Sequence, residues 1–189
     1  MQLPKRHLPV VGLIGLIVIA AAGGTVYYYQ FLTPHEVSHI VPAHRLIFMT
    51  AIVFEEGGFS ITNTAYLNQT SLPAFSASNG YNLTGVNYHN YKSSDNKTVY
   101  VNTGDTLTFY IHGENATHTA PLYSDHHSFS IDILPAPITV LDGQVGGNIY
   151  FNSWYTVTFK INGPGTYEFR CLVPCSNGHS SMYGNIVAA

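Results

Sequence analysis

The stretch Thr106-Leu107-Thr108-Phe109-Tyr110-Ile111-His112 decides the fold. Leu107, Phe109 and Ile111 alternate with Thr106, Thr108, Tyr110 and His112, a period of two that sends one set of side chains to one face of a β-strand. The same alternation recurs on both sides of it. Upstream, Val99 and Val101 precede a turn at Thr103-Gly104-Asp105. Downstream come Phe129, Ile131 and Ile133, then Val157, Phe159 and Ile161, the turn Asn162-Gly163-Pro164-Gly165, and finally Tyr167, Phe169 and Cys171. Short alternating strands divided by Gly- and Pro-rich turns predict an all-β antiparallel sandwich or barrel. Arg45–Phe54 is an apolar run that reads as a buried strand, although a buried helix of that length shows the same pattern. Residues 57–97, rich in Gly, Ser, Asn and Tyr, are expected to form long surface loops or an insertion.

Composition narrows the class. Charged residues make up only 9% of the 189 positions, against roughly 25% in an ordinary soluble domain. A net charge of -3 lacks the basic face of a nucleic-acid binder. Hydrophobic content of 46% fills a core and excludes disorder, and two cysteines are too few for a disulfide scaffold. From Leu8 to Thr33 no residue is charged. The 23 residues Pro9–Phe31 span about 34 Å as a helix, enough to cross a hydrocarbon core of roughly 30 Å. Lys5 and Arg6 precede this stretch, Glu36 follows it, and Tyr27, Tyr28 and Tyr29 mark its far interface. The chain is therefore expected to comprise a transmembrane anchor at 1–33, a linker at 34–44 and an exported domain at 45–189. It would cross the cell membrane once, with its N-terminus cytoplasmic and its C-terminal domain extracellular or periplasmic. Cleavage as a signal peptide at Ala20-Ala21-Ala22-Gly23 is the rival reading, and it too exports the domain. Asn-x-Thr sequons at Asn68, Asn82, Asn96 and Asn115 fit an exported surface.

The chemistry gathers near the C-terminus. Cys171, Cys175, His179 and Met182 are spaced C-x3-C-x3-H-x2-M. Two thiolates, an imidazole and a thioether form a soft-donor set that selects copper. Magnesium and calcium want carboxylates, and structural zinc prefers a second Cys or His pair to Met. A further ligand is expected from Asp125-His126-His127-Ser128-Phe129, where strand parity turns His127 inward with Phe129 and leaves His126 outside.

With these residues in view, the sequence resembles subunit II of the haem-copper (cytochrome c) oxidases, the subunit with the binuclear copper centre CuA, in its short single-helix bacterial and archaeal variety. The likeness covers the anchor and residues 98–189. It implies a cupredoxin-like sandwich holding two copper ions. Cys171 and Cys175 would bridge both metals, and His127 and His179 would bind one each. Met182 would be a weak axial ligand on one metal, and the Val173 carbonyl its counterpart on the other. It further implies electron transfer from cytochrome c or a small blue copper protein to haem in subunit I, within a proton-pumping terminal oxidase of several subunits. Two thiolates against two coppers leave a net charge of about +1 oxidised and about 0 reduced, which limits the cost of burial.

The sequence departs from the family where Val173 replaces a common magnesium-binding Glu and where Ser176 replaces a common Gly. Phe54 and Tyr88 are candidates for the aromatic that admits the electron. Two other functions compete. A membrane-anchored mononuclear blue copper carrier would use one Cys, two His and a Met. A metal-free extracellular module would instead join Cys171 to Cys175 in a disulfide.

Overall fold

The structure is a computed structural model that describes residues 42–91, 95–116, 122–131 and 138–189. The apolar stretch 9–31 and its membrane assignment lie outside these residues, as does nearly all of the linker. Among the described residues no helix is long and apolar enough to cross a membrane.

The described chain is all β. A six-stranded sheet runs in the order β5 (Tyr88–Tyr91), β2 (Phe59–Leu67), β1 (His44–Ala51), β7 (Thr106–Gly113), β11 (Trp154–Ile161) and β9 (Ile138–Asp142). A five-stranded sheet runs β10 (Gly147–Tyr150), β8 (His126–Ile131), β12 (Gly165–Arg170), β13 (Tyr183–Ala188) and β6 (Thr98–Val101). A small hairpin joins β3 (Ala74–Ser76) to β4 (Gly80–Asn82). The sandwich is mixed and not purely antiparallel, because β1 pairs with β7 and β13 with β6 in parallel. Alternation along a strand reports which face is buried, not the direction of its neighbour.

The two sheets meet through the residues that the alternation picked out. Phe109 lies 4.9 Å from Phe129, 5.7 Å from Phe159 and 5.9 Å from Phe169, ring centre to ring centre. Phe59 closes on Phe129 and Phe169 at 6.1 and 5.6 Å, edge to face. All five rings are essentially inaccessible to solvent. Such contacts add to area burial by about 0.5–1.5 kcal/mol per pair.

Residues 57–97 are not mainly loop. They supply β2, a full member of the larger sheet, and the β3–β4 hairpin and β5. In β2 the odd-numbered apolar residues look like one face, yet Phe59 and Ile61 enter the main core while Ala65 and Leu67 pack on the sheet's outer side. A register shift opposite Phe48 and Met49 explains this. A bulge there adds one residue to β2 and reverses its parity. The outer side is covered in turn by Phe75, Tyr81, Leu83 and Val86.

Strand β1 begins at His44, one residue before the expected boundary. At this end, the guanidinium of buried Arg45 pairs with buried Asp105. Asp105 also accepts the Ala43 and Asn102 backbone N–H groups at 2.7 and 2.8 Å. Gly104, at φ +93°, makes the turn that brings Asp105 there. Lone buried charges are costly, so the pair fixes how β1 enters the sheet.

Candidate metal centre

At the opposite end of β7, two loops converge. The first leads into β8. Period-two alternation there turns His127, Phe129 and Ile131 into the core, with His127 fully buried. His126 turns outward, its Nδ1 2.7 Å from Asp125 Oδ1 and its ring 5.3 Å from that of Tyr150. The second loop joins β12 to β13 and carries the whole C-x3-C-x3-H-x2-M motif. Cys171 leaves β12 on the inward parity of Tyr167 and Phe169. Its backbone N–H donates to the Met182 carbonyl at 3.0 Å. The hairpin is thereby closed at its base, which puts the first and last donors of the motif side by side.

Cys171, Cys175 and Met182 are all buried in the main core. The two sulfurs stand 3.9 Å apart and both thiols are free, nearly twice the disulfide length of about 2.05 Å. One ion about 2.3 Å from each sulfur would span that gap. The donor atoms of His127, Cys171 and Cys175 all lie within 4.8 Å of one another. His127 Nδ1 is buried without a hydrogen-bond partner among the described residues, while Nε2 faces the Glu114 carbonyl at 3.5 Å. The Val173 carbonyl oxygen is 3.3 Å from Cys171 Sγ. His179 stands outside the three-residue group. It lies on a short 3-10 turn, His179–Ser181, with Nδ1 3.2 Å from the Ser176 carbonyl.

The electrostatics of the sulfur pair favour a cation. The hydrogen bond from Cys175, aided by the neighbouring His127 ring and by the Ser128 N–H at 3.4 Å, holds the Cys171 thiol down at about 4 against the effect of burial. The same contact, with burial, pushes the Cys175 thiol far up. One proton therefore serves two sulfurs. A second thiolate 3.9 Å from the first would be opposed by about 4 kcal/mol of repulsion at an effective dielectric of about 20. Soft cations relieve that repulsion and displace the proton. The orphaned His127 nitrogen and the unlinked sulfurs thus fit a copper site.

No protein-family model matches the chain, and no curated protein matches it by sequence. Among solved structures it is similar to a chain of a heme-copper terminal oxidase dimer, at 11% identity over 98% of this chain and 100% of that one, with a TM-score of 0.40. It is also similar to the periplasmic domain of subunit II of cytochrome oxidase of Bradyrhizobium japonicum, at 14% identity over 79% and 88%, with a TM-score of 0.40. Reduced rusticyanin follows at 16% identity over 76% and 78%, with a TM-score of 0.39. At these identities and scores, assignment rests on the side chains themselves.

Three supporting groups were not foreseen from the sequence. Ser128, beside His127, accepts the Leu172 N–H at 2.9 Å through its hydroxyl, so one residue ties β8 to the start of the cysteine loop. Phe151 packs its ring 5.1 Å from that of His127. Glu55 reaches the loop from 121 positions away in the sequence. Adjacency to a ligand was a usable signal for Ser128, but nothing local marks Glu55. Of the two candidate entry aromatics, Phe54 adjoins the loop at Gly178 and is 37% exposed. Tyr88 instead packs on the outer side of the six-stranded sheet.

Proposed function

We propose that the chain is the electron-transfer subunit, of the subunit II type, of a haem-copper terminal oxidase. On this reading His127, Cys171, Cys175, His179, Met182 and the Val173 carbonyl hold two copper ions at the rim of a cupredoxin-like sandwich. The observation that carries the proposal is the pair of buried, unlinked sulfurs 3.9 Å apart with the His127 donor within 4.8 Å of both. A mononuclear blue copper site uses a single cysteine, whereas here the second is as deeply buried as the first.

Bound there, the copper pair would supply one-electron chemistry shared between two metals. The chain's own residues account for the rest of the task. The two sulfurs bring negative charge that offsets most of the metals' charge in a low-dielectric setting. The phenylalanine core behind them keeps water away. The base of the loop, closed by Cys171 N–H and Met182 O, and the Ser128 tether keep the donor positions fixed when the charge changes by one. Phe54, half in solvent and against Gly178, is the proposed point of entry from cytochrome c or a small blue copper donor.

The proposal assigns residues 1–33 to a membrane anchor and 45–189 to a domain outside the cytoplasm. Oxygen reduction and proton pumping belong to the haem-bearing subunit I with which it would assemble. The test is to express the full chain with copper, count the metal and record electron paramagnetic resonance. Two coppers per chain, with hyperfine structure from one electron over both, are expected, and Cys175→Ser abolishes that signal. One copper per chain would favour a mononuclear carrier instead, and none would end the copper reading.

A further inference from the structure

The 3-10 turn Phe54–Glu56, between β1 and β2, sits directly beneath the cysteine loop. Both carboxylate oxygens of Glu55 are engaged there. Oε2 accepts the Ser176 hydroxyl at 2.7 Å, and Oε1 accepts the Gly178 backbone N–H at 2.9 Å. These two partners flank Asn177 and fill the interval between Cys175 and His179. Gly178 lies flat against the Phe54 ring: a Cβ at 178 would come within 2.7 Å of Phe54 Cδ1 and 3.2 Å of Glu55 Cδ. The turn is itself braced. Glu56 and Gly58 donate their N–H groups to the Val53 carbonyl at 3.0 and 3.2 Å, and the Lys97 ammonium covers the Phe54 ring at 5.6 Å.

We infer that Glu55 is a positioning residue for the metal loop, an inference that rests on the copper reading above. Its carboxylate fixes the arc 176–178 and so sets the separation of Cys175 from His179. His179 lies outside the close donor group, and both of its nitrogen contacts run to the Ser176 carbonyl in this arc, from the backbone N–H at 3.4 Å and from Nδ1 at 3.2 Å. A carboxylate is well suited because two parallel acceptors meet one hydroxyl and one amide at once, and charge-assisted hydrogen bonds are stronger than neutral ones. Glutamine can imitate the arrangement, accepting from Gly178 with its oxygen and donating to Ser176 Oγ with its amide. Alanine can do neither.

The experiment compares wild type, Glu55→Ala, Glu55→Gln and Ser176→Ala as full-length chains, in two arms. In the metal-free arm, alkylation of Cys175, which is fully buried, is timed in chains carrying Cys171→Ser. Glu55→Ala is expected to speed it several-fold and Glu55→Gln to stay near wild type. In the copper-loaded arm, release to a chelator is expected to quicken roughly ten-fold in Glu55→Ala, in the range of lost outer-shell contacts, with altered copper hyperfine splitting and rescue by glutamine. Ser176→Ala should give a smaller effect that adds nothing in the Glu55→Ala background, since both remove the same contact. If Glu55→Ala matches wild type in alkylation and in copper release, the inference is overturned. If wild type takes up no copper while Glu55→Ala still frees Cys175, the copper reading fails and the hold of Glu55 on the loop stands.

Discussion

Replacing Cys175 with alanine is expected to raise the pKa of Cys171 by several pH units in the reduced, metal-free chain. The sulfur separation of 3.9 Å explains why the two sulfurs share one proton. Repulsion of about 4 kcal/mol between two thiolates at that distance separates their ionisations by roughly three pH units. The pair therefore keeps one proton, carried by Cys175 and donated to Cys171, and this hydrogen bond is the largest influence bringing Cys171 down to about 4. Without it, burial opposes ionisation and only the lesser help of the His127 ring and of the backbone at Ser128 and Val173 remains, so Cys171 should titrate well above its wild-type value. The chain has only two cysteines, so the difference in ultraviolet absorbance from a variant lacking both reports their thiolates alone. Wild type should show one thiolate from about pH 4 upward, and Cys175→Ala none below neutrality. A variant that still holds its thiolate at weakly acidic pH would refute the reasoning. Linkage gives a second reading of the same pair. Between the folded Cys171 value and the ordinary thiol range the unfolded chain binds one proton more, so stability rises with pH. Above that range the folded chain holds the extra proton on Cys175, so stability falls again.

Three other outcomes are expected. Ser128→Ala removes the acceptor for Leu172 N–H; a loss of about 1 kcal/mol should lower the melting temperature of the metal-free chain by about 2–4 °C, and an unchanged melting curve would count against the tether. Gly184→Ala drives a methyl group into the Phe169 ring and to 2.6 Å from the Lys97 carbonyl. Overpacking of this kind costs about 1–3 kcal/mol, which chemical denaturation would measure. The Glu55 carboxyl is held below its ordinary range chiefly by the Ser176 hydroxyl, so its contribution to stability is complete above the unfolded carboxyl value and disappears as pH falls through the lower folded one. Glu55→Gln should therefore flatten the acid limb of a stability-versus-pH curve, and an identical limb in both proteins would contradict it.

What the sequence disclosed, and what it hid, follows from how far apart the partners lie. Leu107, Phe109 and Ile111 announce a strand because alternation is local, and the Cys-Cys-His-Met spacing is legible because its four side chains fall within one hairpin loop. Strand β2 escaped notice because its bulge makes residues of one parity serve two faces, and its exposed Thr62 and Asn63 dilute the apolar signal. Parallel pairing of β1 with β7 leaves no local trace, since it depends on a crossover of some fifty residues. The contact of Glu55 with Ser176 spans 121 positions and shows only when both loops are folded.

The parallel seam between β6 and β13 bears on how such a centre is made. Asn185 to Ala188 zip onto Thr98 to Val101, and the Cys171–Met182 hairpin forms only when β13 returns along β12. A nascent chain still lacking its last dozen residues thus has thiols but no cage to hold them. Long-range pairing of this kind comes late in folding. On the proposed copper reading, metallation would wait for folding to finish, and the apoprotein, with its sulfurs already closed in by the core, would be the form that a copper donor meets.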